Sequence, residues 1–415
     1  VSLLVIVAGA ALVPALSLPD ALVAIIVGGL IGQAMLSAAA AIGAQARVPA
    51  MVLLRAPLGR RGSALPTAVN VVQTLGWTVF ELLVIATAAA ALSDRLLGFR
   101  AQWLWTLVFG VVALGFGLAG PIGVVRTFIR RITVWAVPLA LAYLTWWALH
   151  GAHLSAIWHR PGTGGLSIWQ GADIVVGITV SWIPLAADYT RFSRDGRSAL
   201  AGSFVGYLVP NVALLALGTV IVLSRNIFDA ASLPAAVVAG SAAAVLALLA
   251  LTVGETDDAF ANAYSAAVSL QNLAPGVPLR ALVTVTTALG TLGALTIDLV
   301  SYQAFLLLLG SVFVPLFAVL LADWLLAGSA YEREDIFDAP VWRPGSIAAW
   351  LAGFALYQWL YPAGPHWWKE LVGKLNPPNW GIGATVPSFA CAFTVAFAVA
   401  AVERRRLPAL ARAHR

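Results

Sequence analysis

The chain has 415 residues, of which 61% are hydrophobic and only 10% charged. A soluble domain usually carries about a quarter charged residues, so this composition excludes an ordinary water-soluble fold and points to a bilayer as the solvent. The formal charge of +6 could suit a nucleic-acid binder, but the basic residues sit in short clusters between apolar runs, and the single cysteine, Cys391, excludes a disulfide framework or a Cys-rich metal centre.

Backbone groups in hydrocarbon must bond internally, so long apolar runs predict helices; the alternation of a membrane barrel is absent. Twelve spans are expected, roughly at 1–16, 21–45, 67–93, 103–120, 131–149, 171–188, 199–223, 238–271, 281–297, 300–326, 346–362 and 383–402. Val1 already lies inside an apolar run with no basic n-region and no A-x-A site, so a transmembrane span and not a signal peptide is expected there. The first span is short, and the expectation is a helix that has lost its N-terminal part. With the N-terminus placed in the cytoplasm, eighteen of the 24 Lys and Arg fall in cytoplasmic segments, including Arg126, Arg130, Arg131 and five tail arginines, and six fall outside. That bias predicts a multi-pass cell-membrane protein with both termini cytoplasmic.

Span one contains Gly9 and Pro14, and span six contains Gly177 and Pro184. Interruptions five spans apart are expected of an inverted 5+5 repeat, whose broken helices free backbone groups for substrate and ion. The plainer reading is that Gly and Pro are common in membrane helices.

In span three, Asn70, Gln73, Trp77 and Glu81 follow steps of three, four and four and share one helical face. A mid-span carboxylate costs ~2.5–3.5 kcal/mol on insertion scales, so Glu81 should face a cavity or a partner. Trp77 offers a flat ring for stacking, and Glu81 can accept ring N–H groups or hold a proton. The alternative is an interhelical polar clamp.

Span six reads Gly177-Ile-Thr179-Val-Ser181-Trp182-Ile-Pro184, with Asp188 and Arg191 at its cytoplasmic end. Pro184 takes a donor from the preceding turn, where Thr179, Ser181 and Trp182 sit. Asp188 and Arg191, at i and i+3, are expected to pair in a structural or gating role.

Span eight, the longest, carries Glu255-Thr256-Asp257-Asp258 followed by Asn262 and Ser265. Glu255, Asp258, Asn262 and Ser265 share a stripe, while Thr256 and Asp257 point elsewhere and can offer hard oxygens to a small cation. The alternative is a helix that ends at Gly254, with a solvated acidic loop after it. Asp298 reads as a helix cap, and the histidines at 150, 153, 159 and 366 lack metal-ligand spacing. Trp367-Trp368 has the character of an interfacial belt.

From about residue 10 to residue 330 these residues resemble the nucleobase:cation symporter-1 family of cytosine permeases, hydantoin transporters and hydroxymethylpyrimidine transporters. Arg55-Ala-Pro-Leu-Gly59-Arg-Arg-Gly62-Ser63 resembles the loop after its second span. Gln73 to Trp77 resembles its Gln-Gly-Trp region, Asp188-Tyr189-Thr-Arg191-Phe192 its signature after span six, and Ala322-Asp323-Trp324-Leu325 the end of its span ten. The resemblance implies an all-α LeuT-like fold: a transport core over 1–330, two accessory helices over 331–402 and a basic tail over 403–415. It implies a heterocycle stacked between aromatics of spans three and six. Trp77 matches the first; Thr179 stands where the second is expected, with Trp182 three residues on. The family's sodium site uses span eight hydroxyls, and here Thr256-Asp257-Asp258 takes that place.

The expected function is cation-coupled uptake of a nucleobase-like ring, cytosine or a related pyrimidine, by alternating access. The substrate residues expected are Gln73, Trp77, Glu81, Thr179, Ser181, Trp182, Asp258 and Asn262; the cation residues are Thr256 and Asp257, with Na+ or H+ as the coupling ion. No cofactor, enzyme chemistry or nucleic-acid partner is implied. The alternatives are a hydroxymethylpyrimidine or thiamine-precursor, purine, hydantoin or allantoin transporter, or an amino-acid or amine transporter on the same fold.

Overall fold

The computed structural model of the chain describes residues 3–124, 134–227, 236–237, 241–297, 302–376, 378 and 380–413, and every regular element among them is a helix. Arg126, Arg130, Arg131, Asp298 and Arg415 lie outside the described residues, as do the side chains of Asp257, Arg404, Arg405, Arg406 and Arg412.

In chain order the helices are α1 (Leu3–Ala10), α2 (Leu18–Ala46), the short α3 (Ala50–Leu53) and α4 (Arg55–Leu58), α5 (Ala64–Leu97), α6 (Gln102–Val124) and α7 (Val134–Leu149). There follow α8 (Leu154–Trp158), α9 (Ile168–Val180), α10 (Ile183–Thr190), α11 (Gly196–Arg225), α12 (Ala242–Gly254), α13 (Thr256–Leu273) and α14 (Leu279–Ala294). The last are α15 (Tyr302–Leu326), α16 (Arg333–Phe337), α17 (Pro344–Leu360), α18 (His366–Gly373) and α19 (Thr385–Ala413). Seven stretches among the described residues are long and apolar enough to cross a membrane: Leu18–Ala46, Ala64–Leu97, Gln102–Gly120, Ile168–Thr190, Gly196–Arg225, Tyr302–Leu326 and Thr385–Glu403. A span needs ~20 residues. The other expected spans are shorter or broken: α1 has 8 residues, α7 and α14 have 16 each, and α17 has 17.

Span six is interrupted as its sequence predicts. The break falls at Ser181–Trp182, with Pro184 in the first turn of α10, where a missing N–H costs nothing. Gly177 lies inside α9 and has a different use: a Cβ there would come within 2.5 Å of the Leu306 carbonyl oxygen. Gly9 behaves alike in α1, where a Cβ would run into the Leu215 carbonyl oxygen. Both glycines let two helix backbones meet, as small residues do at membrane helix interfaces.

Span eight also breaks, at Glu255, which joins α12 to α13 with near-helical torsions. The acidic segment is no solvated loop: Glu255, Thr256 and Asn262 are buried.

The helices gather into two compact units. The first comprises Val1–Ile25, Val69–Leu166 and Val209–Gln303; the second comprises Ile26–Ala68, Ser167–Leu208 and Ala304–Arg415. Within the first unit, α1 lies on α11 through Gly9, Phe116 of α6 meets Phe260 of α13 edge-on, and the Thr286 hydroxyl of α14 donates to the Ala263 carbonyl. Within the second, α2 lies on α9 and α10, with Gly43 directly against Ala187. There α17 and α19 run antiparallel, because Gly345 meets Val399 and Gly353 meets Ala392. Arg343, at the start of α17, is buried between Asp323 (2.7 Å) and Glu403 (3.1 Å) and donates to the Ala56 carbonyl. That guanidinium ties the end of α15 and the start of α17 to Glu403 of α19 and to α4. Buried ions are tolerated only when paired and bonded in this way.

Candidate functional site

The polar stripe of span three is buried along its length: Asn70, Gln73, Trp77 and Glu81 are each no more than 6% exposed. Its lower half is a chain of amides. Gln73 Nε2 donates to Asn70 Oδ1 at 2.9 Å, and Asn70 Nδ2 donates to Ser269 Oγ of α13 at 2.8 Å. Thr74 and Thr78 return their hydroxyls to the carbonyls four residues back, which satisfies them inside α5 without a partner helix.

One turn further, the Trp77 indole meets the Tyr302 ring edge-on, with centroids 5.9 Å apart, and Phe80 meets the same ring at 5.4 Å. Edge-to-face geometry places the positive rim of one ring on the negative face of the other. The Tyr302 hydroxyl reaches the Leu4 carbonyl of α1 at 3.2 Å, so the aromatic group joins α1, α5 and the start of α15.

At the end of the stripe, carboxylate oxygens of Glu81, Glu255 and Asp258 all lie within 4.8 Å of one another. Glu81 and Glu255 are buried and Asp258 is partly so. The break between α12 and α13 turns Glu255 inward, where the Leu3 backbone N–H donates to its Oε2 at 2.7 Å. Two carboxylates at this spacing repel by on the order of 3–4 kcal/mol at an effective dielectric of ~20. Three such groups therefore favour a bound cation, shared protons or both.

The structure thus brings together Gln73, Trp77, Glu81 and Asp258, with Asn262 one turn beyond on α13. Asn262 Nδ2 bonds to the Asp258 carbonyl at 3.1 Å, and the Thr256 hydroxyl points back to the Thr252 carbonyl at 3.4 Å. Glu255 and Tyr302 join a group that the sequence assembled without them. Glu255 could have been found from its place on the Asp258 face; nothing in the sequence ties Tyr302 to Trp77.

Thr179, Ser181 and Trp182 belong to the second unit. The Ser181 hydroxyl donates to the Ile178 carbonyl at 2.6 Å and so uses an acceptor beside the helix break. Thr179 is fully buried, and Trp182 meets Tyr207 of α11 at 6.5 Å. Asp188 accepts the Ala50 N–H at 3.0 Å and caps α3, while the Arg191 guanidinium lies over the Phe192 ring at 4.7 Å.

Residues 1–383 match the family described as permeases for cytosine/purines, uracil, thiamine and allantoin. The cytosine permease of Escherichia coli (strain K12) is 25% identical over 332 residues, covering 78% of this chain and 75% of its own. The hydantoin permease of Microbacterium maritypicum is 34% identical over 110 residues, 25% of this chain and 21% of its own. Among solved structures, inward-facing Mhp1 superposes with a TM-score of 0.74 at 18% identity, covering 98% of this chain and 88% of that one. Closed Mhp1, described as a nucleobase-cation-symport-1 family transporter with bromovinylhydantoin bound, gives 0.75 at 18% identity over 96% and 89%. At that identity the likeness shows the fold.

Proposed function

The chain belongs to the nucleobase:cation symporter-1 family of membrane permeases, not to a family of enzymes, and on that premise we propose that it imports a pyrimidine-like nucleobase with a cation. The observation that carries this reading is the buried stripe of α5, which leads from amides through an indole to three clustered carboxylates. A planar heterocycle presents the chemistry that such a stripe meets: a π face for Trp77 and ring N–H and C=O edges for Gln73, Asn262 and Glu81. Thr179, Ser181 and Trp182 enter the proposal through the family resemblance.

The coupling ion, in this reading, neutralises the carboxylates. Thr256 and Asp257 are the cation residues expected from the sequence; Glu81, Glu255 and Asp258 are better supported by their proximity. A sodium ion or protons would relieve the same repulsion. A bound ion that favours one arrangement of α1, α5 and α13 over another couples to substrate through that difference in affinity. The twelve-span topology, the core over 1–330 and the cytoplasmic termini belong to this proposal. So does the inverted repeat, which is supported by a correspondence: span one lies on span seven in one unit, and span six on span two in the other.

A second substrate reading is a hydantoin or allantoin, favoured by the 34% identity to the hydantoin permease over its matched stretch. Thermal stabilisation of the purified chain by cytosine, uracil, hydroxymethylpyrimidine, purines, hydantoin and allantoin ranks these ligands, and repeating it with and without sodium tests the ion. For the stacking model the decisive measurement is uptake of labelled cytosine into liposomes. Trp77→Ala is expected to weaken saturable uptake by roughly five- to 150-fold, since stacking on an aromatic contributes roughly 1–3 kcal/mol per base. Normal transport by that variant would sink the reading.

A further inference from the structure

Residues 361–384, between the last two long helices, carry an apolar surface that binding and coupling leave unused. Because α17 and α19 are antiparallel and α19 opens with a membrane-length stretch from Thr385, this segment leaves and returns at one bilayer face. Its helix α18 has three sides. Trp368 and Val372 turn inward: Val372 is buried, and the Trp368 indole N–H donates to Gln358 Oε1 at 3.0 Å. His366, Lys369 and Glu370 stand in water on another side. On the third, Trp367 and Leu371 lie one turn apart, Leu375 continues their line, and Trp380 and Ile382 extend the patch on the returning chain. These five apolar side chains are 47–68% exposed.

We propose that α18 is seated in the boundary between headgroups and acyl chains, and that lipid covers the Trp367–Leu371–Leu375–Trp380–Ile382 face. A helix with one apolar side, one charged side and flanking tryptophans has the chemistry of that boundary. Continuity argues for lipid as the occupant. Trp380 meets Trp359, near the end of α17, edge-on at 6.0 Å, and Leu351, Trp359 and Val386 carry the exposed apolar surface on along both neighbouring helices. Lys374 stands beside the stripe, where its methylenes can lie on apolar surface while the ammonium rises to the phosphates.

The seat reaches the transport helices by hydrogen bonds. Ser167 Oγ, at the cap of α9, donates to the Gly381 carbonyl at 2.8 Å. The Ala384 and Thr385 N–H groups donate to the two Asp173 oxygens of α9 at 2.6 and 3.1 Å. Gln358, which accepts from Trp368, donates to Ser311 of α15 at 2.9 Å. Lipid therefore anchors the loop that holds the α9 half of the broken helix and, through Gln358, the middle of α15.

The test uses the full chain in phosphatidylcholine–phosphatidylglycerol vesicles, with Cys391→Ala removing the one native thiol. A nitroxide is attached to Leu371→Cys, Leu375→Cys, Trp380→Cys or Lys369→Cys, and uptake of labelled cytosine or retained monodispersity certifies each fold. Relaxation by oxygen is expected to exceed relaxation by a water-soluble nickel chelate severalfold at 371, 375 and 380, and to fall below it at 369. Nickel exceeding oxygen on the apolar face would mean exposure to water and overturn the proposal. Dipolar broadening with both reagents excluded would mean a second copy covers the face, and would overturn it equally. Three apolar sites read the same surface, so one misfolded variant does not leave the result open.

Discussion

At the residue scale, the function turns on where charge is placed in a medium that resists it. Glu81 alone would be an expensive carboxylate in α5; with Glu255 and Asp258 beside it, the group has the chemistry of the cation or proton site proposed above. Glu255→Gln removes one negative charge and keeps shape and one acceptor for the Leu3 N–H. The variant is expected to exchange labelled for unlabelled substrate across liposomes at close to the parent rate, yet to lose most accumulation driven by an imposed sodium or proton gradient. Gradient-driven accumulation equal to the parent's would remove Glu255 from the coupling machinery. Trp77 sets the complementary case: its ring carries no charge, so its loss should weaken binding whatever gradient is applied.

Elements place these residues by their ends and breaks. The interruption between α12 and α13 turns Glu255 inward, and at that between α9 and α10 the Ser181 hydroxyl takes up the Ile178 carbonyl. The start of α19 is held by one carboxylate, Asp173, which accepts two backbone N–H groups of the four that a helix N-terminus leaves unpaired. Asp173→Ala strands both, at about 1–3 kcal/mol per buried group. Thermal unfolding of the purified chain in detergent should shift to lower temperature, with Asp173→Asn, which keeps one acceptor, in between. An unchanged melting temperature would show that water or another group satisfies those donors.

For the whole molecule, the basic residues bear on the proposed orientation and the glycine contacts set how closely helices approach. The eighteen-to-six division of Lys and Arg supports both termini in the cytoplasm. A fluorescent protein fused after Arg415 is accordingly expected to mature and fluoresce in cells, and an alkaline phosphatase fused there to stay inactive. The reverse pair of results would invert the topology and with it the assignment of each loop. The Arg343 cluster shows why the last helices are more than an appendage: it binds the start of α17 and Glu403 of α19 to α15 and to α4.

Periodicity and composition settle the helical membrane character, the shared face of Asn70, Gln73, Trp77 and Glu81, and the break near Pro184. All three follow from local rules: hydrogen-bond closure in lipid, side-chain repeats of three and four, and a missing backbone donor. Their limit is reach. A repeat tells which residues share a face of one helix and is silent about what that face meets, so it singles out neither Glu255 as a site residue nor Tyr302 at all. Gly9 and Gly177 look like breakers in sequence because their packing partners, Leu215 and Leu306, are distant along the chain. Tertiary structure alone decided that Glu81 and Asp258, far apart along the chain, share one cluster of carboxylates with Glu255. The reason is physical: helix packing couples residues through space, and local sequence records only the faces it has available to couple.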